Sequence, residues 1–284
     1  MTGPMFSAPG KHSCTVAFAW IVGALPLLLM SGGDCAAEQS LKKPAVVHAD
    51  FEAKDGVRVH ADLYLASPAG GTDDRESAKD GPLILMFHQA ASNAAEYETI
   101  APRLVVAGYS CLAVDQRAGG RRWERNNRTV LALGRSADFE AAYADLEAAL
   151  QWSVDEGWRG PILAWGSSYS ASLVFRLARD HPEIRAVLAF SPGEYFGAGE
   201  PVRGWASSVT VAVFGTAGSG REVEDARQIV AAVPHGKKTY YVAERGVHGS
   251  STLIVERNPE GVEENWGAVL EFLSDRLLLH PSAR

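Results

Sequence analysis

The stretch Ile162-Leu163-Ala164-Trp165-Gly166-Ser167-Ser168-Tyr169-Ser170-Ala171-Ser172-Leu173-Val174-Phe175 decides how the rest of the chain is read. It opens with a short continuous apolar run, as expected of a strand covered on both faces. It closes as the start of an apolar helix, and Gly166 to Ser170 leave room for one sharp turn between the two. Such a turn lifts the hydroxyl at its centre, Ser168, above the sheet, and its flanks must be small because strand and helix backbones approach there. The helix start behind Ser168 favours developing negative charge, and the Tyr169 N–H can point at an oxyanion. Ser170 stands where a Gly-x-Ser-x-Gly pattern has its second glycine, and Ser167 is the competing hydroxyl. The plainer reading of these serines is a helix cap.

Outward from this turn, similar apolar runs recur at Leu83 to Phe87, Cys111 to Val114, Ala186 to Phe190 and Val209 to Phe214, with a shorter one at Tyr240 to Val242. Upstream, Val57, Val59, Ala61, Leu63 and Leu65 alternate, which predicts a strand with one wet face, paired as a hairpin with Val46 to Phe51 through Asp55-Gly56. Helical patterns lie between the runs, at Ala95 to Val106, Ala137 to Glu156, Ser170 to Asp180, Glu222 to Val233 and Val262 to Leu279. Ala69 to Gly81 has no periodicity and reads as a loop. Strand and helix alternating in this way argue for an α/β architecture, a mostly parallel sheet with helices on both faces. Ligand chemistry in such a sheet belongs at the carboxyl ends of the strands.

The 284 residues, 46% of them hydrophobic, suffice for one large core. A net charge of −7 and a pI near 5.6 give no field for phosphate backbones, so no nucleic-acid partner is expected. Cys14, Cys35 and Cys111 build no disulfide scaffold or zinc site, and the histidines show no His-x-x-x-His pair; no metal is expected. Lys11 and His12 precede an apolar stretch from Val16 to Met30, and Cys35-Ala36-Ala37 is an acceptable cleavage site. Residues 1–37 therefore read as a signal peptide, with an uncleaved membrane anchor as the alternative, and residues 38–284 as a single domain that is periplasmic or secreted. Cys111, within an apolar run, reads as a buried, inert thiol.

A serine nucleophile needs an imidazole that takes its proton and returns it to the leaving group. His248, between Gly246-Val247 and Gly249, follows the last strand-like run and is the best base. For the acid that orients it, Glu222 is the first carboxylate past the Val209 to Phe214 run; Glu194 is the main rival and Asp225 the third. A Gly-x-x-Asp pattern would put the acid at Gly218. A second oxyanion donor is expected in the loop His88-Gln89-Ala90, with the Gln89 N–H favoured over Ala90, and His88 bracing the loop. Arg121, Arg122, Arg125 and Arg128, interleaved with Trp123, read either as a carboxylate-selecting loop or as a solvated turn.

Together, Phe87-His88-Gln89, Ala113-Val114-Asp115-Gln116-Arg117, the Gly166 to Ser170 turn and Val247-His248-Gly249 resemble the α/β-hydrolase superfamily, in particular small members similar to dienelactone hydrolases. The likeness runs from about Val46 to Leu279, and the order Ser168, acid, His248 is the superfamily's order. The resemblance implies an eight-stranded, mostly parallel sheet without a large cap, a chiefly structural role for Asp115 and Arg117, and hydrolysis of small-molecule carboxylic esters or lactones through an acyl-enzyme, without a cofactor. A serine peptidase on short peptides and a catalytically silent binding protein on the same fold are the alternatives. Membrane contact is expected only if the N-terminal segment is retained, and the sequence sets no oligomeric state.

Overall fold

The apolar runs become strands because they can be covered on both faces. A computed structural model of the protein describes residues 45–66, 75–234, 236 and 238–277. The segment read as a signal lies outside them. Among the described residues no helix is long and apolar enough to cross a membrane. The chain forms β1 (Val46–Glu52), β2 (Arg58–Tyr64), β3 (Leu83–Phe87), β4 (Ser110–Asp115), β5 (Ile162–Ser167), β6 (Ile184–Phe190), β7 (Ala212–Ala217) and β8 (Lys238–Val242). They make one eight-stranded sheet in the order β1-β2-β4-β3-β5-β6-β7-β8. The β1–β2 hairpin and the β2–β4 pair are antiparallel, and the rest of the sheet is parallel.

The helices are α1 (Arg75–Ala78), α2 (Ile100–Val106), α3 (Arg128–Leu133), α4 (Tyr143–Asp155), α5 (Tyr169–Asp180), α6 (Pro201–Ala206), α7 (Arg221–Ala232) and α8 (Val262–Leu277), with short 3-10 helices at Ala94–Tyr97 and Gly249–Leu253. Side-chain alternation sends Leu83, Leu85 and Phe87 of β3 to a core shared with α4, α5, α6 and α7. Ile84 and Met86 face the opposite core, shared with α2 and α8. All five are fully buried, and each such side chain stabilises the fold by about 1.5–3 kcal/mol. Cys111 is free and buried, and burial pushes its thiol up, away from the reactive thiolate.

Three boundaries differ from the sequence expectation for local reasons. The pattern from Ala95 is broken: the Asn93 side chain accepts from the Ala95 N–H and caps a 3-10 turn, and α2 begins only at Ile100. The pattern from Ala137 becomes helical only at Tyr143, because the Asp138 carboxylate takes the Ala141 N–H in a turn ahead of it. The run at Val209 starts as a turn after α6, closed by Val209 N–H to Ala206 O, so β7 lies three residues later, at Ala212–Ala217.

Candidate active site

Ser168 joins β5 to α5 with φ +61° and ψ −125°, a left-handed conformation that a non-glycine residue holds at about 1–3 kcal/mol. The turn is fixed by Ser168 N–H to Phe190 O and Ala171 N–H to Ser168 O, both 2.8 Å. Glycine is required at position 166, where a Cβ would meet the Ser170 carbonyl and lie 2.5 Å from the Ala171 nitrogen. It is not required at position 170. The buried Ser170 hydroxyl donates to the His88 carbonyl at 2.7 Å and accepts from Gln116 Nε2 at 3.1 Å, stitching the turn to the ends of β3 and β4. Ser167 is fully buried and its Oγ accepts the Ser250 N–H at 2.9 Å, which removes it as the rival hydroxyl.

His248 and Glu222 are brought together, with His248 Nδ1 2.5 Å from Glu222 Oε2. Glu222 sits in the first turn of α7, and its other oxygen accepts the N–H groups of Gly218 (2.8 Å) and Ser219 (3.2 Å). Burial opposes ionisation of this carboxyl. The hydrogen bond and charge of His248, with the two backbone N–H groups, outweigh burial and hold it below its ordinary value. Glycine stands at position 218 because a Cβ there would lie 2.5 Å from Glu222 Oε1, 2.6 Å from the Val247 carbonyl carbon and 2.8 Å from the His248 nitrogen. The carboxylate reaches back from the helix into the space that a side chain on the strand-end loop would fill.

The two rival acids are occupied elsewhere. Both Glu194 oxygens accept N–H groups of α6, from Val202 and Arg203 at 2.9 Å each, and Asp225 lies on α7 with Arg221 as its ion partner at 4.0 Å.

The loop carrying His248 is held by groups whose role was not foreseen from sequence. Gly249 N–H donates to Ser191 Oγ and Ser250 N–H to Ser167 Oγ, each at 2.9 Å, so serines at the ends of β5 and β6 cap the 3-10 helix behind His248. A Cβ on Gly249, whose φ is +66°, would strike Ser167 Oγ and lie 3.8 Å from the Ser168 nitrogen. The histidine loop thus packs on the Ser168 turn. The sequence signal was present: each of these serines ends a buried run.

On the other side of the turn, Tyr169 opens α5 and, among the described residues, no hydrogen bond engages its N–H. The Gln89 N–H corrects the expectation placed on it, because it donates to Glu96 Oε2 at 3.1 Å and is not free for an oxyanion. The Ala90 N–H, the alternative donor, has no such partner among the described residues. His88 is fully buried; it contacts Gln89 O through Nδ1 at 2.8 Å and accepts the Gln116 N–H through Nε2 at 3.0 Å. Burial lowers its pKa, so it braces the loop as a neutral ring.

Half of the arginine run, Arg125 and Arg128, is structural, as is Arg117 ahead of it. Arg125 bonds Asp62 at 2.6 Å, and Arg128 bonds Asp115 at 2.7 Å and Asp62 at 2.9 Å. Arg117 joins Asp145 at 2.7 Å and also pairs with Asp55. Asp62, Asp115 and Asp145 are completely buried.

This arrangement defines a hydrolase-type α/β fold, and the comparisons agree. The Serine aminopeptidase, S33 family matches residues 79–232, and the chain belongs to that family of α/β hydrolases. The Pyrococcus furiosus esterase Pf2001 aligns at 19% identity over 82% of this chain and 93% of its own, with a TM-score of 0.61. The acylaminoacyl peptidase of Pyrococcus horikoshii aligns at 12% identity over 86% of this chain but 44% of its own, also with a TM-score of 0.61. A cold-adapted esterase from an Arctic intertidal metagenomic library aligns at 22% identity over 81% of this chain and 93% of its own, with a TM-score of 0.58. At these identities the likeness is one of fold. No curated protein matches the sequence.

Proposed function

We propose that the protein is a serine hydrolase that cleaves carboxylic esters or lactones of small molecules through an acyl-enzyme. The observation that carries this reading is the strained Ser168 turn packed against a loop whose histidine is already paired with a carboxylate. His248 takes the Ser168 proton as Oγ attacks the substrate carbonyl, and the Glu222 carboxylate stabilises the imidazolium. The N–H groups of Tyr169 and Ala90 receive the oxyanion. His248 then passes its proton to the leaving oxygen, which departs as an alcohol. Water, activated in turn by His248, attacks the acyl-enzyme, releases the acid and restores Ser168.

The family description and the acylaminoacyl peptidase likeness raise a second reading, removal of residues from peptide N-termini. Such an enzyme needs an unengaged anion beside the nucleophile to hold the substrate's ammonium. The acids that end the neighbouring loops are taken, Glu222 by His248 and Glu194 by α6, and this favours esters. Labelling by a fluorophosphonate, with Ser168→Ala as control, tests the nucleophile. Parallel assays with an aryl ester and an aminoacyl anilide then separate the readings: faster ester turnover supports this one, and faster anilide turnover rejects it. The Val16 to Met30 stretch supports export of the enzyme, which N-terminal sequencing of the mature protein checks by finding Glu38 first.

A further inference from the structure

β3 and β5 run side by side in parallel with Phe87 opposite Gly166, so two residues further on Gln89 and Ser168 leave the sheet as neighbours. Beyond β3 come the peptide N–H groups of Gln89, Ala90, Ala91 and Ser92. Gln89 N–H donates to Glu96 Oε2 at 3.1 Å, and Ala91 N–H to Ala118 O and Ser92 N–H to Gln89 O, each at 3.3 Å. Of the four, Ala90 N–H alone has no partner among the described residues.

Peptide planarity turns these bonds into an orientation, because the C=O and N–H of a trans peptide point opposite ways. The 88–89 peptide is pinned at both ends: Ser170 Oγ, on the nucleophile turn, donates to His88 O at 2.7 Å, and Glu96 accepts at the N–H end. In the next peptide, Gln89 O is drawn to His88 Nδ1 at 2.8 Å and to the Ser92 N–H, so the Ala90 N–H faces away from both.

Glu96 provides its end of this clamp against stability. It is fully buried in the 3-10 helix Ala94–Tyr97, which Tyr97 Oη ties to Phe87 O and Ala94 N–H ties to Asp115 Oδ1, both at 2.7 Å. Its second oxygen, Oε1, has no hydrogen-bond partner among the described residues, and a buried acceptor left so weakens a fold. Stability alone would favour an apolar side chain of similar size at this place. What the carboxylate supplies is a hold on one peptide plane beside the nucleophile turn.

We propose that Glu96 is a positioning residue: by holding the Gln89 N–H it sets the backbone of residues 88–90 so that the Ala90 N–H is presented to the oxyanion. The proposal deepens the serine-hydrolase reading above and rests on it. Glu96 touches no reacting atom and acts through the loop. A misplacement of about 1 Å in such a group costs on the order of 10²-fold in rate.

Glu96→Met removes the acceptor at similar size, Glu96→Asp withdraws it by one methylene, and Glu96→Gln keeps it. The experiment measures kcat/KM for each variant on an aryl ester and on the matching thionoester, whose sulfur accepts hydrogen bonds poorly and so draws little from the oxyanion donors. Fluorophosphonate labelling is followed alongside, and thermal unfolding checks that each variant is folded. Glu96→Met is expected to lose about 10- to 10²-fold on the ester against less than about threefold on the thionoester. Glu96→Asp should show a smaller loss confined to the ester, and Glu96→Gln should stay within about fivefold of wild type on both. Equal losses on both substrates, or no loss on either, would overturn the role of Glu96 and leave the hydrolase reading standing. Folded Glu96→Met is the variant that decides, and Glu96→Asp takes its place if the first does not fold. Glu96→Gln as slow as Glu96→Met would overturn it equally. A wild-type protein that neither labels nor turns over the ester overturns the hydrolase reading, and this proposal with it.

Discussion

Two carboxylate–cation assemblies stand at opposite ends of the sheet's carboxyl edge, made of similar groups and built in opposite ways. Beyond β2 and β4, Arg117, Arg125 and Arg128 are paired with Asp55, Asp62, Asp115 and Asp145, and the last three carboxylates are fully buried. Beyond β7 and β8, the side chains of His248 and Glu222 are 45% and 24% exposed and make one ion contact with each other. Guanidinium stays protonated, so the first assembly has no state to change into and acts as a rivet at this end of the sheet, with Arg117 tying it to α4 through Asp145. In the second assembly an imidazole faces the carboxylate and the pair stays partly open, the arrangement a proton-transferring base needs. The difference teaches that ion pairing points to a candidate reactive site where one partner is an imidazole and the pair stays open to solvent.

The contrast can be broken most severely at the nucleophile. Ser168→Ala is expected to cut ester turnover by about 10⁴-fold or more, with residual rate from binding and the oxyanion donors, and with no loss of thermal stability. Undiminished hydrolysis by the purified variant would end the assignment. Next comes Glu222→Ala, with an expected loss on the order of 10³–10⁴-fold in kcat. Adding Gly218→Asp to Glu222→Ala is expected to recover nothing, because a Cβ at position 218 still meets the backbone of Val247 and His248. Steady-state kinetics of the single and double variants decide it: an unchanged kcat in Glu222→Ala would remove this acid from the site, and recovery by Gly218→Asp would refute the steric argument.

The rivet is tested through stability rather than rate. Asp145→Ala leaves the buried Arg117 with Asp55 as its remaining carboxylate partner, and the lost buried hydrogen bonds cost about 1–3 kcal/mol, measured by urea unfolding. The folded fraction is expected to keep kcat/KM within a few-fold, and a loss resembling that of Glu222→Ala would show that the two assemblies are not separate.

The smallest effect expected is on acid stability. At Asp62 burial opposes ionisation, but the charges of Arg128 and Arg125 and hydrogen bonds from Arg125 and His48 outweigh it and lower the carboxyl's pKa. Its folded value thus lies below its unfolded one. The resulting stabilisation is fully present above the ordinary carboxylate range and is lost as pH falls through the lowered folded value. Asp62→Asn should therefore be less stable near neutrality yet lose less on acidification below about pH 4. Glu222→Gln should change that slope less, since its partly exposed pair is screened by solvent. Denaturant midpoints across pH provide the check, and a steeper acid slope in Asp62→Asn would refute the argument.

Much of the fold was legible because buried parallel strands have to be continuous apolar runs, and five of the runs fall on strands of the parallel part of the sheet. The turn at Ser168 was legible for a related reason, since a strand-to-helix bend needs small residues where backbones meet. Less of the candidate site could be read. The Gln89 N–H has the right place in the chain but is taken by Glu96, a residue seven positions on that only the 3-10 turn brings back. Arg125 and Arg128 read as surface or substrate-binding groups because Asp62, their shared buried partner, lies about sixty residues away in sequence.

The chain's order of apolar runs, its small residues at the bend and its late histidine followed by glycine were enough to determine the architecture and the candidate nucleophile and base. These are local requirements of backbone geometry, and they leave marks within a few residues. Which carboxylate meets the imidazole and which amide near the turn is left unengaged were decided only by the tertiary structure. Hydrogen-bonding groups are claimed by whichever partner the folded chain brings within about 3 Å, and that competition spans residues far apart in sequence.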